Sequence, residues 1–169
     1  MSDERTSTAR RVDAVAVGLS AIADHGAIVA AVVLADTVMR RRSLWRAAEL
    51  LALVGIPVVA VNAAIKRLVG RQRPDHAAEP GSPVLRRPSS SSFPSGHTLA
   101  VTTAAVALPS SPVGQVAGLV GAGAVGWSRL RVGAHHPGDV VGGVLIGSLL
   151  GWALRTPAQA MVRRSGASR

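Results

Sequence analysis

The sequence predicts an all-α protein, an integral-membrane bundle of about five to six helices. Of its 169 residues, 48% are hydrophobic but only 2% are aromatic, which is too few aromatic side chains for an ordinary soluble core of this size. The apolar residues come in blocks separated by prolines and by polar or basic residues. The blocks at 98–108, 113–127 and 140–154 contain no charged residue, whereas a soluble helix has a charged face with a helical period. Helices surrounded by lipid account for this pattern.

The N-terminal region contains two shorter apolar blocks. Residues 1–11 are polar, and we therefore expect them to form a disordered tail. They lack the apolar run of a secretory signal. Residues 12–23 and 27–39 are apolar, but each is shorter than the roughly 20 residues that cross a bilayer. Whether 12–23 spans the membrane or lies on it stays open. Asp24 and His25 lie between the two blocks. We favour a break between helices at these residues over a contribution of their side chains to a site.

The remaining blocks complete the bundle. Residues 47–65 are the clearest membrane helix, and a polar loop rich in proline and serine follows them. The three charge-free blocks come next, and small residues are frequent in the last two, which allows close approach between helices in lipid. The length fits one domain. We place this domain at residues 12–156 and expect a basic tail at 157–169.

The chain is strongly basic, with 19 Lys+Arg against 9 Asp+Glu and a formal net charge of +10. Such a balance can indicate a nucleic-acid partner, but many of the cations lie at the ends of apolar blocks, as in the run Arg40, Arg41 and Arg42. We therefore interpret them as contacts with lipid headgroups and predict no nucleic-acid partner. The absence of cysteine excludes disulfide scaffolds, thiolate metal sites and cysteine nucleophiles. The oligomeric state stays open.

Polar residues at membrane segments are costly and are therefore functional candidates, and here they form three clusters. They are Lys66, Arg73 and Pro74 after block 47–65; Pro94, Ser95, Gly96 and His97 before block 98–108; and Ser128, Arg129, His135 and Asp139 between the last two blocks. Because each helix crosses the membrane once, tracing the chain from block to block puts all three clusters on the same side. We therefore predict that they form one site.

The residue types of this predicted site suit phosphoryl transfer. One lysine, two arginines, a serine hydroxyl and the backbone N–H groups of a helix start can together bind phosphate oxygens. His97 and His135 can supply a nucleophile and a proton donor. Asp139, four residues after His135, can accept a hydrogen bond from one imidazole nitrogen and leave the other free to attack phosphorus. No carboxylate cluster resembles a metal site, and we predict neither a metal nor a cofactor.

The three clusters resemble the signature of the type 2 phosphatidic acid phosphatase (PAP2) superfamily of membrane lipid phosphatases. Its motifs KxxxxxxRP, PSGH and SRxxxxxHxxxD are present in order, and all eleven fixed positions are filled. The resemblance covers roughly residues 20–155. It implies the helical core that this family shares with vanadium haloperoxidases, whose site holds vanadate.

Carried over by position, the resemblance implies a role for each motif residue. His135 would be the nucleophile and Asp139 would orient it. His97 would protonate the leaving oxygen and then activate the hydrolytic water. Five residues would bind the phosphoryl oxygens: Lys66, Arg73, Ser95, Gly96 and Arg129. Three would shape the pocket: Pro74, Pro94 and Ser128.

The predicted function is metal-independent hydrolysis of a lipid phosphate through a phosphohistidine intermediate. We favour a polyprenyl phosphate or diphosphate, or decaprenylphosphoryl-ribose 5-phosphate, in cell-envelope synthesis, by analogy with compact actinobacterial members of the family. The alternatives are a phosphatidic acid or phosphatidylglycerophosphate-type glycerolipid phosphatase, haloperoxidase chemistry, and a non-catalytic membrane protein that binds anionic lipid. We expect a multi-pass protein of the cell membrane, and the distribution of arginines favours a site on its extracytoplasmic face.

Several polar residues near the clusters lie outside the signature. We interpret His136 as a loop residue. Three arginines are expected to contact headgroups rather than extend the anion site: Arg67, Arg71 and Arg131. Three further residues of the long polar loop are expected to be solvated: Asp75, His76 and Glu79.

Overall fold

The computed structural model describes residues 2–23, 29–30, 33–34, 43–74, 90–108 and 111–164. Five helices are defined in these ranges: α1 (Ser2–Ala23), α2 (Leu44–Val69), α3 (Gly96–Ala107), α4 (Pro112–Arg131) and α5 (Pro137–Arg164). No strand occurs in the described part of the chain, and the predicted all-helical bundle is confirmed. Several residues interpreted above lie outside the described residues: Asp24, His25, Arg40, Arg41, Arg42, Asp75, His76 and Glu79.

The first helix is longer than predicted. It begins at Ser2, whereas we expected residues 1–11 to form a disordered tail. Polar residues can extend a helix whose apolar turns have already formed, because adding a residue costs less free energy than starting a new helix. α1 packs along α4, and Asp13 forms an ion pair of 2.8 Å with Arg131 at the end of that helix. Arg131 therefore has a partner within the protein, and contact of its exposed part with headgroups stays a prediction.

α2 contains the predicted block 47–65 and has clear signals at both ends. The Ser43 hydroxyl accepts a hydrogen bond from the backbone N–H of Arg46 at 3.4 Å, as an N-cap residue does. Gly70 ends the helix in the left-handed region, at φ 59°, where a glycine carries no steric penalty. Its N–H donates to the carbonyl of Lys66 at 3.2 Å. The chain therefore turns sharply one turn after Lys66.

Within the described residues, two helices are long and apolar enough to cross a membrane, namely α2 with 26 residues and the first 25 residues of α5, Pro137–Met161. α5 continues to Arg164, so the predicted basic tail at 157–169 is helical over most of its length. The outward faces of the helices support a membrane environment, because they expose many large hydrophobic side chains. Examples from α2, α4 and α5 are Ile56, Val59, Val116, Val120, Leu145, Leu149 and Trp152.

α3 is the central helix of the bundle and packs most extensively against α5. Glycines allow this close packing, because a Cβ atom on Gly147 would lie 2.7 Å from the carbonyl oxygen of Leu99. Gly118 of α4 approaches Ala105 of α3 in the same way. Close packing brings the starts of α3 and α5 side by side, and the backbone N–H of Ser95 donates to the carbonyl of Asp139 at 2.9 Å. Two of the three motif clusters meet there.

Candidate active site

The described helices bring the three motif clusters to one end of the bundle, as predicted. The first cluster leaves the end of α2, the second opens α3, and the third occupies the turn between α4 and α5. Hydrogen bonds join them directly, since Arg73 Nη1 donates to the carbonyl of Ala134 at 2.8 Å. The clusters converge because consecutive helices run antiparallel, so that each cluster lies at the same end of the bundle.

The start of α5 places a carboxylate beside a histidine. His136 precedes the helix and Pro137 is its first residue, a position that suits the fixed φ of proline. Asp139 is then the third residue, and its Oδ2 accepts a hydrogen bond from the backbone N–H of His136 at 2.8 Å. This reach back over the helix start is half of a capping box. It leaves Oδ2 at 3.6 Å from Nδ1 of His135, slightly beyond hydrogen-bond distance.

The surroundings of His135 keep its imidazole neutral. Only 4% of the residue is exposed, and this burial, together with the charges of Arg73 and Arg129, lowers the pKa of His135 to about 3. The carboxylate of Asp139 opposes this shift, while Lys66 adds to it. A neutral ring has one nitrogen free of a proton, which is the state that a nucleophile requires.

Cationic residues line the same end of the bundle around the backbone of Ser90. Lys66 Nζ lies 3.4 Å from the Ser90 hydroxyl, and Arg73 Nε donates to the Ser90 carbonyl at 3.2 Å. Burial lowers the pKa of Arg73, although a guanidinium still keeps its charge at neutral pH. Ser90 belongs to a run of four serines and was not predicted as a site residue.

Arg129 lies at the end of α4 and is 5% exposed. Its Nη1 donates to the hydroxyl of Ser20 in α1. The neighbouring Ser128 is buried, and its hydroxyl donates to the carbonyl of Val125 at 2.7 Å within α4. Ser20 was not predicted as a site residue, and no local motif marks it, because its contact depends on how α1 packs against α4.

The start of α3 presents a glycine and a histidine to the site. A Cβ atom on Gly96 would lie 3.0 Å from Nδ2 of Asn62, so the absence of a side chain lets α2 and α3 approach closely. Ser95 is fully buried, and its hydroxyl is 3.0 Å from the hydroxyl of Thr98. Two of the predicted supporting residues flank this region: buried Pro94 and partly exposed Pro74.

Two residues at variable positions of the motifs also contact Asp139, and one of them, His136, lies in a loop as we predicted. Arg71, expected at the headgroups, places Nη1 at 3.1 Å from Oδ1 of Asp139. His136, expected to be a plain loop residue, contacts Oδ2 through its backbone and also lies with Nδ1 at 3.4 Å from it. The proximity of Arg71 to the RP dipeptide was the available signal for the first of these contacts.

A cavity of about 830 Å³ leads away from the two histidines. Its polar end includes four residues: Lys66, Ser90, His97 and His135. The remainder is mostly apolar and follows α2: Leu51, Val54, Val58 and Val59, with Val29, Ala100 and Val101 opposite. Leu51 and Lys66 are about 22 Å apart along a helix. The cavity therefore suits a ligand with an anionic head and a long apolar chain.

Within the described ranges, no group of three or more His, Asp or Glu side chains is arranged to hold a metal ion.

A family model described as the PAP2 superfamily matches residues 43–161. The chain belongs to the PAP2 superfamily. This membership confirms the resemblance inferred from the three motifs and makes the chain a phosphatase of PAP2 type.

Two relatives show the range of this PAP2 protein's similarities. Decaprenylphosphoryl-5-phosphoribose phosphatase from Mycobacterium tuberculosis is 39% identical over 140 residues, which cover 82% of this chain and 76% of that protein. Lipid A 1-phosphatase from Rhizobium etli is 40% identical over 94 residues, which cover 52% of this chain and 39% of that protein.

The fold of this PAP2 protein also matches a solved structure. The transmembrane PAP2 type phosphatidylglycerolphosphate phosphatase from Bacillus subtilis aligns with a TM-score of 0.66 over 94% of this chain and 80% of that chain. Sequence identity is 23%, so the match speaks for the fold alone. It confirms that the helices form a PAP2-type transmembrane bundle.

Proposed function

We propose that this PAP2 protein is a membrane lipid phosphatase that works through a phosphohistidine on His135. The observation that carries the proposal is the cavity, whose cationic end holds both motif histidines and whose remainder is an apolar channel. A phosphate would bind among Lys66, Arg73 and Arg129, and the lipid chain would follow α2. The names of the relatives, which are phosphatases of lipid-linked phosphates, support the same substrate class.

The first chemical step forms the phosphoenzyme. The ring nitrogen of His135 that does not face Asp139 attacks phosphorus, so that a P–N bond forms while the P–O bond to the lipid breaks. His97 donates a proton to the departing oxygen. The ring of His135 now carries a positive charge, which the carboxylate of Asp139 stabilises. The three cations offset the negative charge that develops on the phosphoryl oxygens.

The second step hydrolyses the phosphoenzyme. His97, now neutral, takes a proton from a water molecule, and the water oxygen attacks phosphorus as the P–N bond breaks. Inorganic phosphate leaves and His135 returns to its neutral form. His97 is then protonated again, so the cycle needs no further proton donor.

We infer that the lipid is polyprenyl-linked. The apolar part of the cavity is long, and the M. tuberculosis relative, which shares most of its length with this chain, is named for a decaprenylphosphoryl-5-phosphoribose substrate. A phosphomonoester on a polyprenyl-linked pentose is therefore the first candidate, and a polyprenyl phosphate or diphosphate is the second. A glycerolipid phosphate is the alternative that the name of the structural neighbour supports.

The test is phosphate release by the purified protein in detergent with EDTA, using one substrate of each of these lipid classes. We expect release from the polyprenyl-linked substrates, and a loss of at least about 1,000-fold in kcat for His135→Ala. Turnover that is unchanged in His135→Ala, or that strictly requires a divalent metal, would contradict the mechanism. Preference for phosphatidylglycerophosphate would leave the mechanism intact and replace the substrate class.

We further propose that the site faces the extracytoplasmic side. In the sequence, eight arginines outside the motifs flank the opposite ends of the helices, against five at the site end when residues 1–11 are not counted. Short loops rich in Lys and Arg stay on the cytoplasmic side of a membrane protein.

A further inference from the structure

The carboxylate of Asp139 is held on both of its oxygen atoms. The residue is fully buried, and Oδ2 serves the start of α5 by accepting from the backbone N–H of His136 at 2.8 Å. The same Oδ2 faces Nδ1 of His135 at 3.6 Å. Oδ1 points the other way, towards Nη1 of Arg71 at 3.1 Å. Each oxygen therefore has its own neighbours.

We propose that Arg71 is a positioning residue, which holds Oδ1 so that Oδ2 is directed at His135. The proposal rests on the proposed function, because it assigns a role within that reaction. Arg71 is not a fixed position of the three motifs and is not among the residues that line the cavity. It acts through Asp139.

The backbone of Arg71 is itself fixed by the segment that leads into α3. Its N–H donates to the hydroxyl of Ser91 at 3.0 Å, and its carbonyl accepts from the N–H of Ser92 at 2.8 Å. Gly70, in its left-handed conformation, turns the chain from the end of α2 into this position. Arg71 thus links the end of α2, the segment before α3 and the start of α5.

The start of α5 leaves space for the guanidinium. A Cβ atom on Gly138 would lie 3.3 Å from Nη1 of Arg71, which is closer than most such contacts, so a side chain there would push the guanidinium away. Without Arg71, the buried carboxylate would lose the cation that contacts Oδ1 and would keep only uncharged partners such as Ser92 and the His136 backbone, a costly state. The carboxylate would then rotate to find another donor, and Oδ2 would lose its alignment with His135.

The experiment compares Arg71→Gln, Arg71→Lys and Asp139→Asn, singly and combined, on whichever lipid phosphate the wild type hydrolyses. Residues that hydrogen-bond to metal ligands and orient them typically contribute about 10–100-fold to activity. By analogy, we expect Arg71→Gln to lower kcat by that factor with little change in KM. Arg71→Lys keeps the charge and should recover part of the loss. In the Asp139→Asn background, Arg71→Gln should change kcat by no more than about twofold.

Arg46→Gln is the matched control. Arg46 pairs with Glu49 at 2.7 Å, and its side chain is 40% exposed against 42% for Arg71, but it lies at the far end of α2. We expect this variant to keep wild-type kcat. Thermal unfolding and gel filtration in detergent check that each variant is folded. If Arg71→Gln does not fold, the same cycle with Arg71→Lys decides the question.

The outcomes separate this proposal from the proposed function. An inactive wild type on every lipid phosphate would overturn the function. An active wild type with undiminished kcat in both Arg71 variants would overturn the positioning role alone. Losses from Arg71→Gln that are equally large with and without Asp139 would also overturn it, because Arg71 would then act by another route. A rise in KM at constant kcat would make Arg71 a substrate-binding residue instead.

Discussion

His135 combines two requirements that a histidine on the protein surface would not meet. It lines the cavity, where a phosphate can reach it, and it is buried among cations that disfavour its protonated form. At the start of the reaction the ring must be neutral, and after attack it must carry a positive charge. The environment supplies the first condition, and the carboxylate of Asp139 at 3.6 Å supplies the second.

The low pKa of His135 predicts how stability changes with pH. An unfolded histidine titrates near pH 6.5, so above this value both states are neutral and no difference arises. As the pH falls towards about 3, the unfolded chain binds a proton that the buried ring does not. The wild type should therefore lose stability relative to His135→Gln as the pH falls from about 6.5 to about 3. Thermal unfolding in detergent measures the difference in Tm, and a pH-independent difference would contradict the prediction.

The contribution of α1 to the site was not predicted from the sequence. It lies outside residues 43–161, which the PAP2 family model matches, yet it supplies the Ser20 hydroxyl to Arg129. A second polar contact, from Asp13 to Arg131, joins the same two helices about two turns nearer the N-terminus of α1. Packing of α1 on α4 therefore orients a cation that we assign to phosphate binding.

Ser20→Ala tests the contribution of α1. Removing the hydroxyl takes away one hydrogen bond from the Arg129 guanidinium, and a typical net hydrogen bond corresponds to a factor of about 2–10. We expect KM for the lipid phosphate to rise by this factor while the protein stays folded. Asp13→Asn is the control, because it removes the charge from a different polar contact between α1 and α4, the ion pair with Arg131. Equal effects of the two variants would indicate a general loosening of α1 instead.

At the scale of the whole molecule, the topology puts all chemical groups at one end and leaves apolar surface along the sides. The close packing of α3 on α5 through Gly143 and Gly147 aligns the two helix starts. The cavity opens between the start of α3 and the end of α2, beside His135, and then follows α2 towards its other end. A bundle of this shape can place a phosphate at the membrane surface while the lipid chain stays at membrane depth.

The orientation of the bundle can be tested by labelling, because the chain contains no cysteine. Gln72→Cys introduces an exposed thiol beside the site, and Leu44→Cys introduces one at the far end of α2, where the residue is 74% exposed. In intact cells, a membrane-impermeant maleimide should label residue 72 and not residue 44. Lysed cells, in which both thiols should react, are the control. The reverse pattern would place the site on the cytoplasmic side.

Much of the site could be predicted because its residues occupy helix ends that the sequence itself marks. Asp139 is an example, since the order His136, Pro137 and Asp139 defines a helix start that turns the carboxylate back towards His135. The neighbours Arg71 and Ser20 could not be predicted in the same way. Their partners are 68 and 109 residues away in the chain, and no local pattern reports a contact over such a separation.

The sequence by itself determined the helical class, the membrane environment and the meeting of the three motifs at one end of the bundle. These properties follow from the spacing of apolar residues, prolines and glycines, which act over one helix at a time. Only the tertiary structure decided that α1 is helical from Ser2, that Ser20 holds Arg129, and that Arg71 holds Asp139. Each depends on how closely two helices approach and on which side chains then share a buried space, and that is a property of packing between segments, which no single segment encodes.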